Sequence, residues 1–182
     1  MGDAETIVAF QSGDGAAFQI LFERHAGHVY RTAYLIVLDR ERAEDVAQET
    51  FLALFQRLPR LAAGPVGSWL DRVAANLSLN EHRKVREVSS DNCLQQMDSS
   101  PQSTGADFAA EDAEDRAAIW ALLETLTPRQ RAMVVMRFYG DLTFEEIAGA
   151  LGCRSGTVRA TVHQALQHLR RDMAPRRVAL VD

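Results

Sequence analysis

A chain of 182 residues with 47% hydrophobic residues, 11 glycines and 5 prolines is long enough to bury one core or two small ones without covalent staples. Cys93 and Cys153 form no Cys-x-x-Cys pair and have no histidine array beside them, which excludes a disulfide framework and a zinc site as expectations. The formal charge of −5 argues against a nucleic-acid partner only until it is located: residues 88 to 115 hold seven acids and no lysine or arginine, so the rest of the chain is net basic.

No run of 18 apolar residues occurs, and the first residues, Met1-Gly-Asp-Ala-Glu-Thr6, are acidic rather than a basic leader to an apolar core. A soluble, cytoplasmic protein is expected. Ile7, Val8 and Phe10 precede the turn signal Ser12-Gly-Asp-Gly15, which predicts a short first helix. From Ala16 to Val37, Phe18, Leu21, Phe22, Val29, Tyr30, Ala33 and Tyr34 recur at steps of three and four, the pattern of a long amphipathic helix. His25 and His28 stand three apart without a matching third ligand, so no metal is expected there.

After the break Leu38-Asp39-Arg40, a helix from about Glu41 to Leu58 carries Ala43, Val46, Ala47, Thr50, Phe51, Leu54 and Phe55 as its core side. Asp45, Gln48, Glu49 and Leu52 lie on or beside another face. Prolines and glycines between Pro59 and Gly67 interrupt the pattern, and a further helix starts at Ser68, with Trp69, Val73 and Leu77 stepping by four. This helix is expected to loosen over Asn76-Leu-Ser-Leu-Asn80 before a compact basic cluster of His82, Arg83, Lys84 and Arg86. Such a cluster suits either a nucleic-acid strand or a solvated helix end whose cations favour the C-terminus.

Residues 88–110 lack apolar periodicity and read as a flexible acidic linker between two domains. Helix resumes at about Glu111 to Leu126, then at Thr127-Pro128-Arg129-Gln130, a capping box with proline at the first helical position. Thr143 and Glu146 form another capping box, Phe144, Ile147, Ala148 and Leu151 follow at helical spacing, and Gly152 is placed to end that helix in the left-handed conformation. Ser155 is expected to cap the next helix, whose Val158, Val162, Ala165, Leu166 and Leu169 form one apolar stripe. Two short helices joined by a glycine-containing turn match the helix-turn-helix unit, whose second helix enters the DNA major groove. Between Arg154 and Arg177 there are six arginines and one acid, Asp172. Arg159 and Gln164 carry groups that pair with guanine and adenine edges.

The fold class that follows is all-α: two small helical domains joined by a flexible acidic linker, the C-terminal domain a helix-turn-helix. The expected boundaries are 1–87, linker 88–110, 111–174 and a tail 175–182 whose apolar Val178-Ala-Leu-Val181 has no assigned role. No nucleophile, base and orienting group appear together and no glycine-rich phosphate loop is present, so neither an enzyme, a cofactor nor a small-molecule substrate is expected. The helix-turn-helix by itself leaves open a stand-alone regulator binding two half-sites and an adaptor that reads no DNA.

Four motifs point to a third reading. Asp45-Val-Ala-Gln-Glu-Thr-Phe51, Trp69-Leu-Asp-Arg-Val-Ala-Ala-Asn76, Leu126-Thr-Pro-Arg-Gln-Arg131, and Glu146-Ile-Ala148 with Gly156-Thr-Val-Arg159, in this order across residues 14–172, resemble the extracytoplasmic function sigma factors of bacteria. The resemblance implies that Asp45, Gln48, Glu49 and Leu52 contact the clamp of the RNA polymerase core. It implies that Asn76, Ser78 and Asn80 hold a flipped base of the minus-ten promoter element, with Arg83, Lys84 and Arg86 on the phosphates. Arg154, Ser155, Thr157, Arg159, His163 and Gln164 would face the minus-thirty-five element, and the polymerase partner surfaces implied are the clamp of the largest subunit and the flap of the second largest. An anti-sigma factor, membrane-bound in some cases, is the further partner the resemblance implies.

Overall fold

The computed structural model describes residues 2–91 and 113–178, with side chains over 2–84 and 119–171. Before the linker run α1 (Asp3–Gln11), α2 (Ala16–Val37), α3 (Arg40–Arg57), a single 3-10 turn (Leu58–Arg60) and α4 (Val66–Asp91). After it come α5 (Ala113–Glu124), α6 (Pro128–Phe138), α7 (Phe144–Leu151) and α8 (Ser155–Val178). The all-α expectation holds among the described residues. Cys93, linker residues 92–110, and residues 179–182 of the tail lie outside them, as does the side chain of Arg86.

Local chemistry explains the breaks. Leu38 closes α2 in the left-handed region at φ 57°, and Asp39 then caps α3 by accepting from the Arg42 amide at 3.0 Å. Both expected capping boxes form: Thr127 with Gln130 at the start of α6, and Thr143 with Glu146 at the start of α7. Gly152 ends α7 at φ 62°, a conformation that costs a residue with a Cβ but not glycine. Ser155 departs from expectation. It is the first residue of α8, and Arg154 takes the cap position, its carbonyl accepting from the Thr157 and Val158 amides.

Helix α4 also departs from expectation, because it runs unbroken through Asn76–Asn80 and on to Asp91, taking in the first four residues assigned to the linker. Asparagine weakens helices when its side chain bonds the local backbone. Here the Asn76 side chain is engaged elsewhere, donating from Nδ2 to the Ala150 carbonyl of α7 at 3.0 Å, and Leu79 packs into a core. Both contacts hold the helix.

The first core lies within the N-terminal helices: Ile7, Leu21, Val29, Phe51, Leu54, Leu58, Val66 and Leu70, with Trp69 packed on its edge. The second crosses the linker. Ile36 of α2 and Ala75 of α4 are buried together with Ala132, Met133, Met136, Leu142, Ile147, Val158 and Val162 of the C-terminal helices. A third group joins Leu38 to Leu123, Leu126, Val134 and Ala165. The two helical units therefore close on each other along α2 and α4. Their facing sides are apolar, and separating them would return that surface to water. Among the described residues no helix is long and apolar enough to cross a membrane.

Candidate nucleic-acid interface

The second helix of the helix-turn-helix presents one face. Val158, Val162 and Ala165 are buried against the core, which leaves Arg154, Thr157, Arg159, His163 and Gln164 exposed on the outward side, with Ser155 half-buried at the helix start. The guanidinium of Arg159 lies 5.2 Å from the centre of the Phe144 ring. An exposed, cationic helix face with amide and imidazole groups at successive turns has the chemistry of major-groove reading.

The α4 residues are less uniform. Asn80, Arg83 and Lys84 are exposed, and Lys84 Nζ pairs with Glu81 at 3.2 Å. Asn76 is half-buried, its amide held by Ala150. Ser78 is fully buried, its hydroxyl without a hydrogen-bond partner among the described residues, so it does not belong to a surface that meets DNA in this arrangement. His82 likewise leaves the basic cluster: it turns inward, Nε2 donating to the Ile36 carbonyl at 3.1 Å. Burial, with Arg131 and Arg42 nearby, pushes its imidazole below the ordinary histidine value. Between α4 and the C-terminal helices, Asn76, Asn80, Arg83, Thr127 and Arg129 line an open cleft of about 500 Å³.

On α3, burial of Ala43, Val46, Thr50, Phe51 and Leu54 exposes Asp45, Gln48, Glu49 and Leu52 together on the opposite face. Leu52 is 61% exposed, and Phe55, expected in the core, is 50% exposed. The Phe55 ring meets Phe18 edge-on at 5.2 Å and Phe10 at 5.8 Å and leaves its remaining edge to solvent. Its place three residues after Leu52 fits that exposed face as well as the core face, so spacing alone could not decide. An acidic rim around solvent-exposed leucine and phenylalanine is the composition of a protein-docking patch.

Sequence reasoning missed a polar junction where the units meet. Asp71, 2% exposed, accepts from Thr32 Oγ1 at 2.9 Å and lies 2.8 Å from His28 Nε2. The hydrogen bond to Asp71 holds the His28 imidazole above its ordinary pKa despite partial burial. His25 goes instead to Asp3, at 3.0 Å. Arg131 is buried as well, donating to the Leu123 carbonyl at 3.2 Å, and desolvation lowers its pKa to about 10.

The described residues thus form two packed helical units, with an exposed acidic-apolar face on α3 and an exposed cationic face on α8. The chain matches the family models for Sigma-70 region 2 over residues 21–88 and Sigma-70 region 4 over residues 116–169. It is 33% identical over 169 residues to the ECF RNA polymerase sigma factor SigE of Mycolicibacterium smegmatis, covering 91% of this chain and 66% of that longer protein. It is 32% identical over 161 residues to SigL of Mycobacterium tuberculosis, covering 87% and 90% respectively. Its fold superimposes on the sigma factor RpoE, solved with the anti-sigma factor NepR from Bartonella quintana, with a TM-score of 0.69 at 21% identity over 86% of this chain and 96% of that one. CnrH, solved with the cytosolic domain of CnrY, gives 0.63 at 20% identity over 94% and 96%. The chain belongs to the extracytoplasmic function (ECF) sigma factors of RNA polymerase.

Proposed function

We propose that this chain is a dissociable promoter-specificity subunit of bacterial RNA polymerase that performs no catalytic step itself. The observation that carries the reading is the separation of two unlike surfaces: the acidic-apolar face of α3 on one unit and the cationic face of α8 on the other. Asp45, Gln48, Glu49 and Leu52, extended by Phe55, dock on the polymerase clamp. Arg154, Ser155, Thr157, Arg159, His163 and Gln164 face the upstream promoter element, and Asn76 and Asn80, with Arg83, Lys84 and Arg86, the downstream one. The domains are 1–87 and 111–174, with 88–110 as linker and 175–182 as tail, and the protein works in the cytoplasm.

The Asn76 amide bonded to Ala150 supports a further step. The bond to α7 engages one of the two Nδ2 hydrogens and half-buries the side chain, so separation of the units frees the amide fully for the downstream element. A protein partner that binds the closed arrangement more tightly than the open one inhibits by mass action alone. An anti-sigma factor of that kind is the regulator we assign to this chain. Reconstituted transcription tests the reading: core polymerase with the chain starts at discrete promoters. Initiation equally random with and without the chain rejects it.

A further inference from the structure

Phe144, the first residue of α7, has two arginines over its ring. The guanidinium carbon of Arg159 is 5.2 Å from the ring centre and that of Arg137, from α6, is 5.5 Å away. The ring is held from both sides of the chain. Its backbone follows the Thr143 capping box, in which the Thr143 amide donates to Glu146 Oε2 at 2.9 Å, and its side chain packs against the core shared by α6, α7 and α8. Arg137 is anchored too, donating to the Leu142 carbonyl at 3.3 Å. Arg159 makes no hydrogen bond or ion pair among the described residues, so the ring is its contact. A long side chain held in place by an aromatic face loses less freedom when it binds.

We propose that Phe144 is a positioning residue that fixes Arg159 for base reading, and that Arg137 on the same ring adds a phosphate contact from outside the recognition helix. Two like charges over one ring repel each other in the free protein, and a phosphate beside them relieves that repulsion. The proposal rests on the reading of α8 as the upstream-element reader.

The test uses holoenzyme, assembled from core polymerase and the full chain, binding promoter DNAs in which each base pair of the upstream element is varied. Arg159→Ala is expected to erase preference at one base pair. Phe144→Leu is expected to weaken binding about two- to fivefold, the range of an exposed cation–aromatic contact, and to relax preference at that same base pair. Phe144→Tyr restores it, and Phe144→Leu combined with Arg159→Ala is no weaker than Arg159→Ala alone. Arg137→Ala weakens all sequences equally and lowers the salt slope by about one. Should Phe144→Leu unfold, Phe144→Met keeps the apolar volume without the ring and carries the same expectation. Retained preference in a folded ringless variant, full additivity with Arg159→Ala, or an unchanged slope for Arg137→Ala overturns the proposal. Retained preference in Arg159→Ala itself overturns the reading of α8 on which it rests, and is told apart by that.

Discussion

The imidazole of His28 stacks on the phenol ring of Tyr139, ring centres 4.7 Å apart and planes 9° from parallel, which joins α2 to the turn after α6 across the boundary between the two units. Beside them Gly140 has no room for a side chain. A Cβ there would lie 3.1 Å from both Asp71 Oδ2 and the Met136 carbonyl oxygen, and 2.7 Å from Leu142 Cδ1. Leucine can move, but the Met136 backbone cannot.

Gly140→Ala is therefore expected to weaken the closed arrangement by about 1–3 kcal/mol, the usual cost of overpacking. Urea denaturation measures it, with Gly149→Ala as the comparison. A Cβ at Gly149 meets nothing within 4 Å on α7, and that substitution is expected to be neutral or to stabilise by up to about 1 kcal/mol. Equal effects at the two glycines would contradict the packing described here.

The two interface histidines give stability opposite pH dependences. His28, raised above 6.5 by Asp71, contributes fully below pH 6.5 and loses that contribution as pH rises through its higher folded value. His82, lowered below 6.5 by burial, contributes above pH 6.5 and loses its share as pH falls through the lower folded value. Stability is expected to peak near pH 6.5 and decline on both sides. Urea midpoints across about pH 5 to 8 measure it, the range in which histidines titrate. His28→Gln flattens the alkaline side and His82→Gln the acid side; a profile that neither variant changes would refute this assignment.

Arg131 is a motif residue whose buried Nε has no hydrogen-bond partner among the described residues. Its bond to the Leu123 carbonyl is not that oxygen's only one, since the Leu126 amide donates to it at 3.1 Å. Arg131→Met keeps an unbranched apolar stem, removes the buried charge and strands no acceptor. It is expected to leave stability unchanged or raise it by about 1–2 kcal/mol, whereas Arg131→Ala, which leaves a cavity, costs about 2–4 kcal/mol. Thermal or urea unfolding of the pair decides, and a larger loss for methionine than for alanine would be the contrary result.

Leu52 is exposed and contributes to no buried core, so Leu52→Glu is expected to change stability by less than about 0.5 kcal/mol. At the docking face it removes apolar contact and buries a charge, and affinity for core polymerase is expected to fall about tenfold or more. Titration of labelled chain with core polymerase measures the loss. Unaltered affinity would move the docking face away from α3.

Helix limits were legible because their signals are local: the Thr127 and Thr143 boxes, Gly152, and the three-four spacing of α2 and α3. The exposed set Asp45, Gln48, Glu49 and Leu52 followed from the same periodicity. What periodicity does not report is which apolar face meets which. Ile36 and Ala75 are not among the periodic positions that stand out and Leu79 lies in the stretch expected to loosen, and nothing local pairs any of them with Met133 or Ile147. The His28–Asp71 contact spans 43 positions, and Asp71 sits inside a motif where an acid reads as surface. Ser78 and His82 read as polar and outward for the same reason, although their surroundings bury them.

Central to this account is that α7 holds the Asn76 amide of α4 in the free chain and releases it on the polymerase. Fluorescence energy transfer between dyes on the exposed faces of α3 and α8 measures that change directly. A single short distance is expected for the chain alone, and a longer one once core polymerase and promoter DNA are added. The same short distance in a complex that initiates transcription would contradict the account.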